Sequence, residues 1–323
     1  MSSISTPVTE VTLADVREAA ERIAPVAKKT PVMTSASFDR ESGLKAFFKC
    51  ENLQTGGAFK IRGAANLIFS LPKESLKRGV VAFSSGNHAQ AVAIAAQYCG
   101  VPATLIMPSD APHSKVEATR ARGASIVIYD RMKDDRTAIG KRIAQETGAT
   151  LVPPFDDVRI IAGQGTAALE LLEEVPDLEA VVVPIGGGGL ISGCSIVAKS
   201  LNPSIRVIGV EPADGNDTFL SLAAGKRLEI PPPATVADGL RAPMPGELTF
   251  PIIQRNVERV VLVEDQEIQE TVKFLLARLK ILAEPSGAVP AAAGLFKKLP
   301  LGLKRVGFMI SGGNVDFNLL STF

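Results

Sequence analysis

Only two histidines, His88 and His113, and three cysteines, Cys50, Cys99 and Cys194, occur in 323 residues. Two histidines cannot assemble a His-rich metal centre or a His-dependent metalloprotease. The cysteines are odd in number and widely spaced, without CxxC or Cys/His pairing, so they are expected to be reduced packing residues. An excess of charge of either sign is also missing. Lys and Arg number 35 against 34 acids, a formal +1. The basic residues are scattered, which removes the footprint of a nucleic-acid or anionic-membrane binder and favours a small-molecule partner. No apolar run approaches the ~18 to 20 residues of a membrane span, and the start, MSSISTPVTEVTLADVREAAERI, carries acids but no apolar targeting core. A cytoplasmic location is expected, with neither nucleic acid nor membrane as partner.

What is present is a chain 46% apolar and 21% charged, long enough for two domains or one large α/β unit. Thr12 with Asp15 reads as a capping box for a helix over 13–27, and a second helix is expected over 60–71. Short β-branched runs read as buried strands at 46–50, 80–84, 103–108, 125–129, 180–185, 206–210, 259–263 and 305–310. Strands alternating with helices argue for parallel sheets flanked by helices. The tight β-α run from 80 to 157 reads as a smaller domain inserted into a larger one made of 1–79 and 158–323.

Several strands run into Gly/Ser-rich turns: FSSGNHAQ from Phe83, PIGGGGLISG from Pro184 and ISGGNVD from Ile310. Carboxyl ends of parallel strands are where ligands bind, and glycine turns entering helices present N–H groups to anions. The loop 186–193 is a plausible phosphate cradle or an ordinary tight turn. A P-loop is excluded, because Cys194 stands where its lysine would be. A GxGxxG dinucleotide fingerprint is defective, its third position falling on Ile191 or Ser192. Glu211 nevertheless ends the next strand where a ribose-binding acid would sit, which keeps a nicotinamide-dependent oxidoreductase as an alternative.

The ordered set GGAFKIRGA, SSGNHAQ, AGQGT, GGGGL, VEP…ND, ADGLR, EPSGA and SGGNVD, spanning about residues 30–316, resembles the serine racemase and serine/threonine dehydratase family, which includes 3-hydroxyaspartate dehydratases. These are fold-type II enzymes dependent on pyridoxal 5'-phosphate (PLP), of tryptophan synthase β-like architecture with a large and a small domain. The resemblance makes Lys60 the Schiff-base lysine and proton-transfer group. Burial beside Phe59 would lower its pKa and supply the neutral amine that both roles require. It implies that Gly186, Gly187, Gly188 and Gly189 bind the cofactor phosphate. Asn87 would bond the phenolic oxygen, Phe59 pack beside the ring, and Ser311 face the pyridine nitrogen with a hydroxyl that does not force its protonation.

By the same resemblance Ser85 is a second catalytic group on the face opposite Lys60, where many threonine dehydratases have alanine. Two bases would permit racemisation; the other reading of Ser85 is a helix cap or a donor to the substrate carboxylate. Ser84, Ser85, Asn87 and His88 form the implied substrate-carboxylate loop. Arg136 matches a family arginine near the substrate, where it could pair a second carboxylate, or it could be a surface partner of Asp134 or Asp135. Glu211, the Gly215 carbonyl and Asp217 match the family's divalent-cation site, suited to Mg²⁺, Ca²⁺ or Mn²⁺. Glu284 is either near the ring or structural, and His113 and Lys115 are given no role. The implied activity is elimination of water from L-serine, L-threonine or 3-hydroxyaspartate, giving a 2-oxo acid and ammonia, with serine racemisation as the alternative. A homodimer is expected and a nucleotide effector is left open. Feedback inhibition by isoleucine is not expected, because no amino-acid-sensing domain follows the SGGNVD loop.

Overall fold

The computed structural model describes residues 10–84, 86–109, 113–130, 133–321 and 323. Among the described residues ten strands form two sheets: β1 Val32–Met33, β2 Lys45–Cys50, β3 Val80–Phe83, β4 Ala103–Pro108, β5 Ser125–Tyr129, β6 Thr150–Leu151, β7 Ala180–Pro184, β8 Arg206–Pro212, β9 Arg259–Val263 and β10 Arg305–Ile310. The larger sheet has the order β1-β2-β10-β7-β8-β9 and the smaller β5-β4-β3-β6. Every pairing is parallel except β1 with β2. This is the helix-flanked α/β arrangement expected. The expected strand positions hold to within two residues, while β1 and β6, two residues each, are too short to leave a periodic signal.

β7 shows why the central runs read as continuously apolar, whereas β5 and β9, expected to be buried, are edge strands that leave Ser125, Ile128 and Arg259 exposed. All five residues of β7 are buried, with Val181 and Val183 entering the core on one face and Ala180 and Val182 the core on the other. A strand covered by helices on both sides has no polar face to display. The first helix is shorter than expected. Its capping box is present, but it ends at Ile23 rather than residue 27. Pro25 is the reason: Ala24 keeps helical backbone, but Pro25 has no amide to carry the hydrogen-bond ladder on, and the amides of Val26 and Ala27 both turn back to Ile23 O.

A third core unites the smaller sheet with the helix Lys60–Phe69. Ile61, Ala64, Leu67 and Ile68 pack with Val80, Ala82, Val92 and Leu105. On its opposite side this helix meets the helix Val158–Glu174 so closely that a Cβ on Gly163 would lie 2.5 Å from the Arg62 carbonyl oxygen. Lys60 therefore starts a helix wedged between the two sheets, at the end where the segments following β2, β3, β7 and β10 gather. Among the described residues no helix is long and apolar enough to cross a membrane.

Candidate active site

The approach to Lys60 is set by backbone geometry. Gly56 and Gly57 both have φ +74°, a region that glycine enters without steric penalty. A Cβ on Gly57 would come 2.3 Å from Asn314 Oδ1. This closeness stitches the segment to the loop after β10: Gly313 N donates to Gly57 O (2.9 Å) and Phe59 N to Ser311 O (3.0 Å). Two loops 250 residues apart in sequence thus share one floor.

Lys60 Nζ donates to Pro154 O at 2.8 Å and lies 5.0 Å from the Phe59 ring centroid. Burial pulls its pKa down from 10.5 to about 8, opposed by the negative charge of Glu284. Near neutral pH a useful fraction of the amine is therefore unprotonated. Glu284 is itself buried and accepts a hydrogen bond from Asn87 Nδ2 at 2.7 Å. Asn87 Oδ1 accepts from Asn314 Nδ2 at 2.9 Å, so Asn87, Glu284 and Asn314 form one network beside the amine. Ser311 is buried, its hydroxyl 3.5 Å from Ser286 O.

The glycine loop follows β7, with Gly188 capping the helix Gly189–Leu201 in a left-handed conformation, φ +93°. Gly187, Gly188 and Gly189 are buried. Among the described residues the amides of 186–189 donate to no protein acceptor. Buried N–H groups without partners at a helix N-terminus suit an anion. The glycines are also required by space. A Cβ on Gly187 would stand 2.2 Å from the Phe155 ring, and one on Gly188 2.8 Å from Thr249 Oγ1. A phosphate ester and an aldehyde on one small molecule would satisfy the amides and the amine together.

On the loop after β3, Ser84 N donates to Ile106 O (3.1 Å) and Ser84 Oγ accepts from Gly86 N (3.1 Å); Ser85 lies outside the described residues. His88 is buried with Nε2 2.9 Å from Val152 O. Burial, together with the charge of Lys60, pushes its pKa down to about 3. The imidazole is therefore neutral and spoken for; what His88 can offer a substrate is its backbone amide. Arg136 opens the helix Arg136–Thr147, exposed, its guanidinium 5.7 Å from the Phe83 ring centroid at the start of the same loop. Asp134 and Asp135 accept from the amides of Asp130 and Thr137. Among the described residues Arg136 has no acidic partner.

Glu211 and Asp217 are both fully buried. Glu211 accepts from Thr218 N (3.0 Å) and Phe219 N (2.9 Å), whereas among the described residues neither carboxylate oxygen of Asp217 has a hydrogen-bond partner. Burial raises both pKa values, and the charge of Asp217 raises Glu211 further. A buried acid pair in which one member has both oxygens orphaned fits a cation. Glu211 itself is fully buried with each oxygen taken by an amide, so it does not stand open to a ribose, which removes the feature that kept the oxidoreductase alternative alive. The three cysteines are free, and burial pushes the thiols of Cys50 and Cys194 up to about 12.

Sequence reading passed over Pro154, Phe155, Asp156, Thr249 and Asn314. The run PPFDD looks like a turn ending in a helix cap, and nothing local to it announces contact with a loop 30 residues further on. Also unmarked was a buried charge cluster behind Lys60. Arg62, 1% exposed, pairs with Glu51 and Glu170, each at 2.7 Å, and Lys49 pairs with Glu170 at 2.5 Å.

Comparison with known proteins agrees with this chemistry. Residues 23–312 match the family described as pyridoxal-phosphate dependent enzyme. The chain is 47% identical to a serine racemase of Schizosaccharomyces pombe, over 96% of each chain. It is likewise 47% identical to an L-threo-3-hydroxyaspartate ammonia-lyase of Saccharomyces cerevisiae, over 96% of this chain and 95% of that one. Among solved structures, maize serine racemase superposes with a TM-score of 0.93 at 46% identity, covering 97% of this chain and 96% of that one. With the amine, the anion cradle and nearly the whole length in agreement, this chain belongs to the pyridoxal-phosphate-dependent enzymes.

Proposed function

We propose that this protein is an ammonia-lyase that eliminates water from a β-hydroxy-α-amino acid, giving a 2-oxo acid and ammonia, with 3-hydroxyaspartate as the substrate class its arginine favours. The observation that carries the reaction is Lys60: a half-buried amine with its pKa brought to about 8, beside a cradle of unpaired amides. PLP held there supplies an aldehyde that condenses with amines and a ring that withdraws electrons from the adjoining carbon. The amides of Gly186–Gly189 hold the phosphate, Asn87 the phenolic oxygen, and Phe59 one side of the ring. Ser311 offers the pyridine nitrogen a neutral hydroxyl, which suits elimination better than a long-lived carbanion.

Lys60 in its neutral form takes the proton from the substrate Cα, and the Pro154 carbonyl gives the resulting ammonium an acceptor. The β-hydroxyl would then leave as water, with the Lys60 ammonium as the donor that returns a proton to the leaving oxygen, and the released enamine takes up water to give the 2-oxo acid and ammonia. Ser84, the loop that contains Ser85, and the amides of Asn87 and His88 at the first turn of their helix take the α-carboxylate. Arg136, poised over Phe83 without an acidic partner among the described residues, supports recognition of a second carboxylate. Serine racemisation is the second reading. Relatives bearing either name are equally similar, and Ser85 would supply the opposite base.

Glu211, Asp217 and the Gly215 carbonyl would hold Mg²⁺, Ca²⁺ or Mn²⁺. No third acid, His or Cys joins them among the described residues, so water would complete the shell. The same reading takes residues 80–157 as a small domain over a large PLP-binding domain, and the protein as a cytoplasmic homodimer open to a nucleotide effector.

A panel of L- and D-serine, L-threonine and the 3-hydroxyaspartate isomers, assayed for 2-oxo acid and for inverted amino acid, tests the reaction. Inversion without 2-oxo acid would replace the lyase reading by the racemase one. Arg136→Ala should lower kcat/KM for 3-hydroxyaspartate by about 10²-fold while leaving serine within about threefold. An equal loss on both substrates would remove the second-carboxylate role.

A further inference from the structure

The glycine cradle does not hold its own shape. The Gly187 carbonyl accepts from Thr249 Oγ1 at 2.7 Å and from Gly246 N at 3.2 Å, both in the turn that opens the helix Thr249–Asn256. The Gly187–Gly188 peptide is trans, so the Gly188 N–H is antiparallel to that carbonyl. Fixing the carbonyl toward Thr249 therefore directs the Gly188 amide away from Thr249 and keeps it available to an anion.

That turn is in its own right fixed by one carboxylate. Asp156 accepts from Glu247 N and Leu248 N at 2.9 Å and from Thr249 N at 3.4 Å. A Cβ on Gly246 would lie 2.2 Å from Asp156 Oδ1, so the turn closes on the carboxylate without room for a side chain. Asp156 follows Phe155, whose ring covers Gly187, and Pro154, whose carbonyl receives Lys60 Nζ. Three consecutive residues thus address the amine, the wall of the cradle and the orientation of its peptide.

We propose that Asp156 is a positioning residue for the cofactor phosphate, acting through Thr249 on the Gly187–Gly188 peptide, and that residues 154–156 register the Lys60 amine against the phosphate amides. The inference rests on the family cofactor and not on the choice of amino-acid substrate.

Two probes titrated into the full-length chain freed of cofactor separate this role from a purely structural one: PLP, and pyridoxal without its phosphate. Both react with Lys60, but only PLP uses the cradle. Thr249→Val removes the hydroxyl at nearly constant shape, and Asp156→Asn weakens the clamp without emptying it. The Kd for PLP is expected to rise about tenfold in Thr249→Val and about three- to tenfold in Asp156→Asn, with the Kd for pyridoxal unchanged within about twofold. Thr249→Ser, which keeps the donor, should restore PLP binding. PLP affinity unchanged in both variants would overturn the proposal. So would an equal weakening of PLP and pyridoxal, which would mean that Asp156 and Thr249 support only the fold. A wild-type chain that binds PLP yet forms no 2-oxo acid would overturn the substrate reading, and the two Kd ratios would still decide this one.

Discussion

Lys60 and His88 titrate in the same buried neighbourhood, and each leaves a pH signature. In the cofactor-free protein the Lys60 amine should react with an acylating reagent along a curve centred near pH 8 rather than 10.5, followed by peptide mapping of the modified lysine. A midpoint above pH 10 would show that the amine is solvated. Lys60→Ala should lower 2-oxo acid formation by at least about 10³-fold and abolish borohydride fixation of the cofactor. For His88 the folded pKa, about 3, lies below the ordinary 6.5. Between those values the unfolded chain binds the extra proton, so stability rises with pH across that window and is lost as pH falls from 6.5 toward 3. His88→Gln should flatten that part of the stability profile, measured by urea unfolding at pH 4 to 7; an unchanged slope would mean that the imidazole is not held neutral. Local chemistry made Lys60 a plausible reactive amine, yet choosing it among the lysines depended on the family motifs. His88 shows the reverse limit: its sequence neighbourhood placed it on the substrate loop, and only the fold shows the ring committed to the carbonyl of Val152, the residue after β6.

At the scale of elements, the helix Lys60–Phe69 is held by more than apolar packing. Arg62 bonds Glu51, in the turn after β2, and Glu170, in the helix Val158–Glu174; with Lys49 the cluster balances two cations against two acids. Replacing a buried ion pair by apolar groups can be neutral, but removing Arg62 strands the fully buried Glu51 carboxylate without solvent, while Glu170 keeps some. Arg62→Met should therefore destabilise the protein by about 3–5 kcal/mol in chemical denaturation. A loss below about 1 kcal/mol would indicate that Glu51 and Glu170 find water or protons at little expense. The motif KIRGA showed that an arginine follows Lys60 by two positions, while its partners lie 11 and 108 residues away in sequence. The central strands are legible because burial on both faces writes a continuous apolar run; the end of the first helix is not, because the amide that Pro25 lacks leaves no mark in the apolar period.

For the whole molecule, the acid pair at Glu211 and Asp217 predicts how a divalent cation is linked to stability. Their folded pKa values are raised, so without a cation the folded state binds more protons than the unfolded one above the ordinary carboxylate range. Stability of the chelated protein should then fall as pH rises from about 5 to 8, and added Mg²⁺ should restore it and flatten the slope. Thermal melts with EDTA and with Mg²⁺ at pH 5.5 and 7.5 check this; melts indifferent to both would leave the pair protonated and cation-free. The sequence by itself determined the alternation of strand and helix, the parallel sheets and the location of glycine turns at strand ends, because backbone hydrogen bonding and double-sided burial leave periodic, local marks. It also determined the family, through motifs whose order spans nearly the chain. The tertiary structure alone decided that Pro154 receives the Lys60 amine, that Thr249 and Asp156 brace the Gly187 peptide, and that the Asp217 carboxylate has no hydrogen-bond donor among the described residues. Those relations join segments tens to hundreds of residues apart through single hydrogen bonds. A single hydrogen bond imposes no period on either segment, so only the folded packing reveals it.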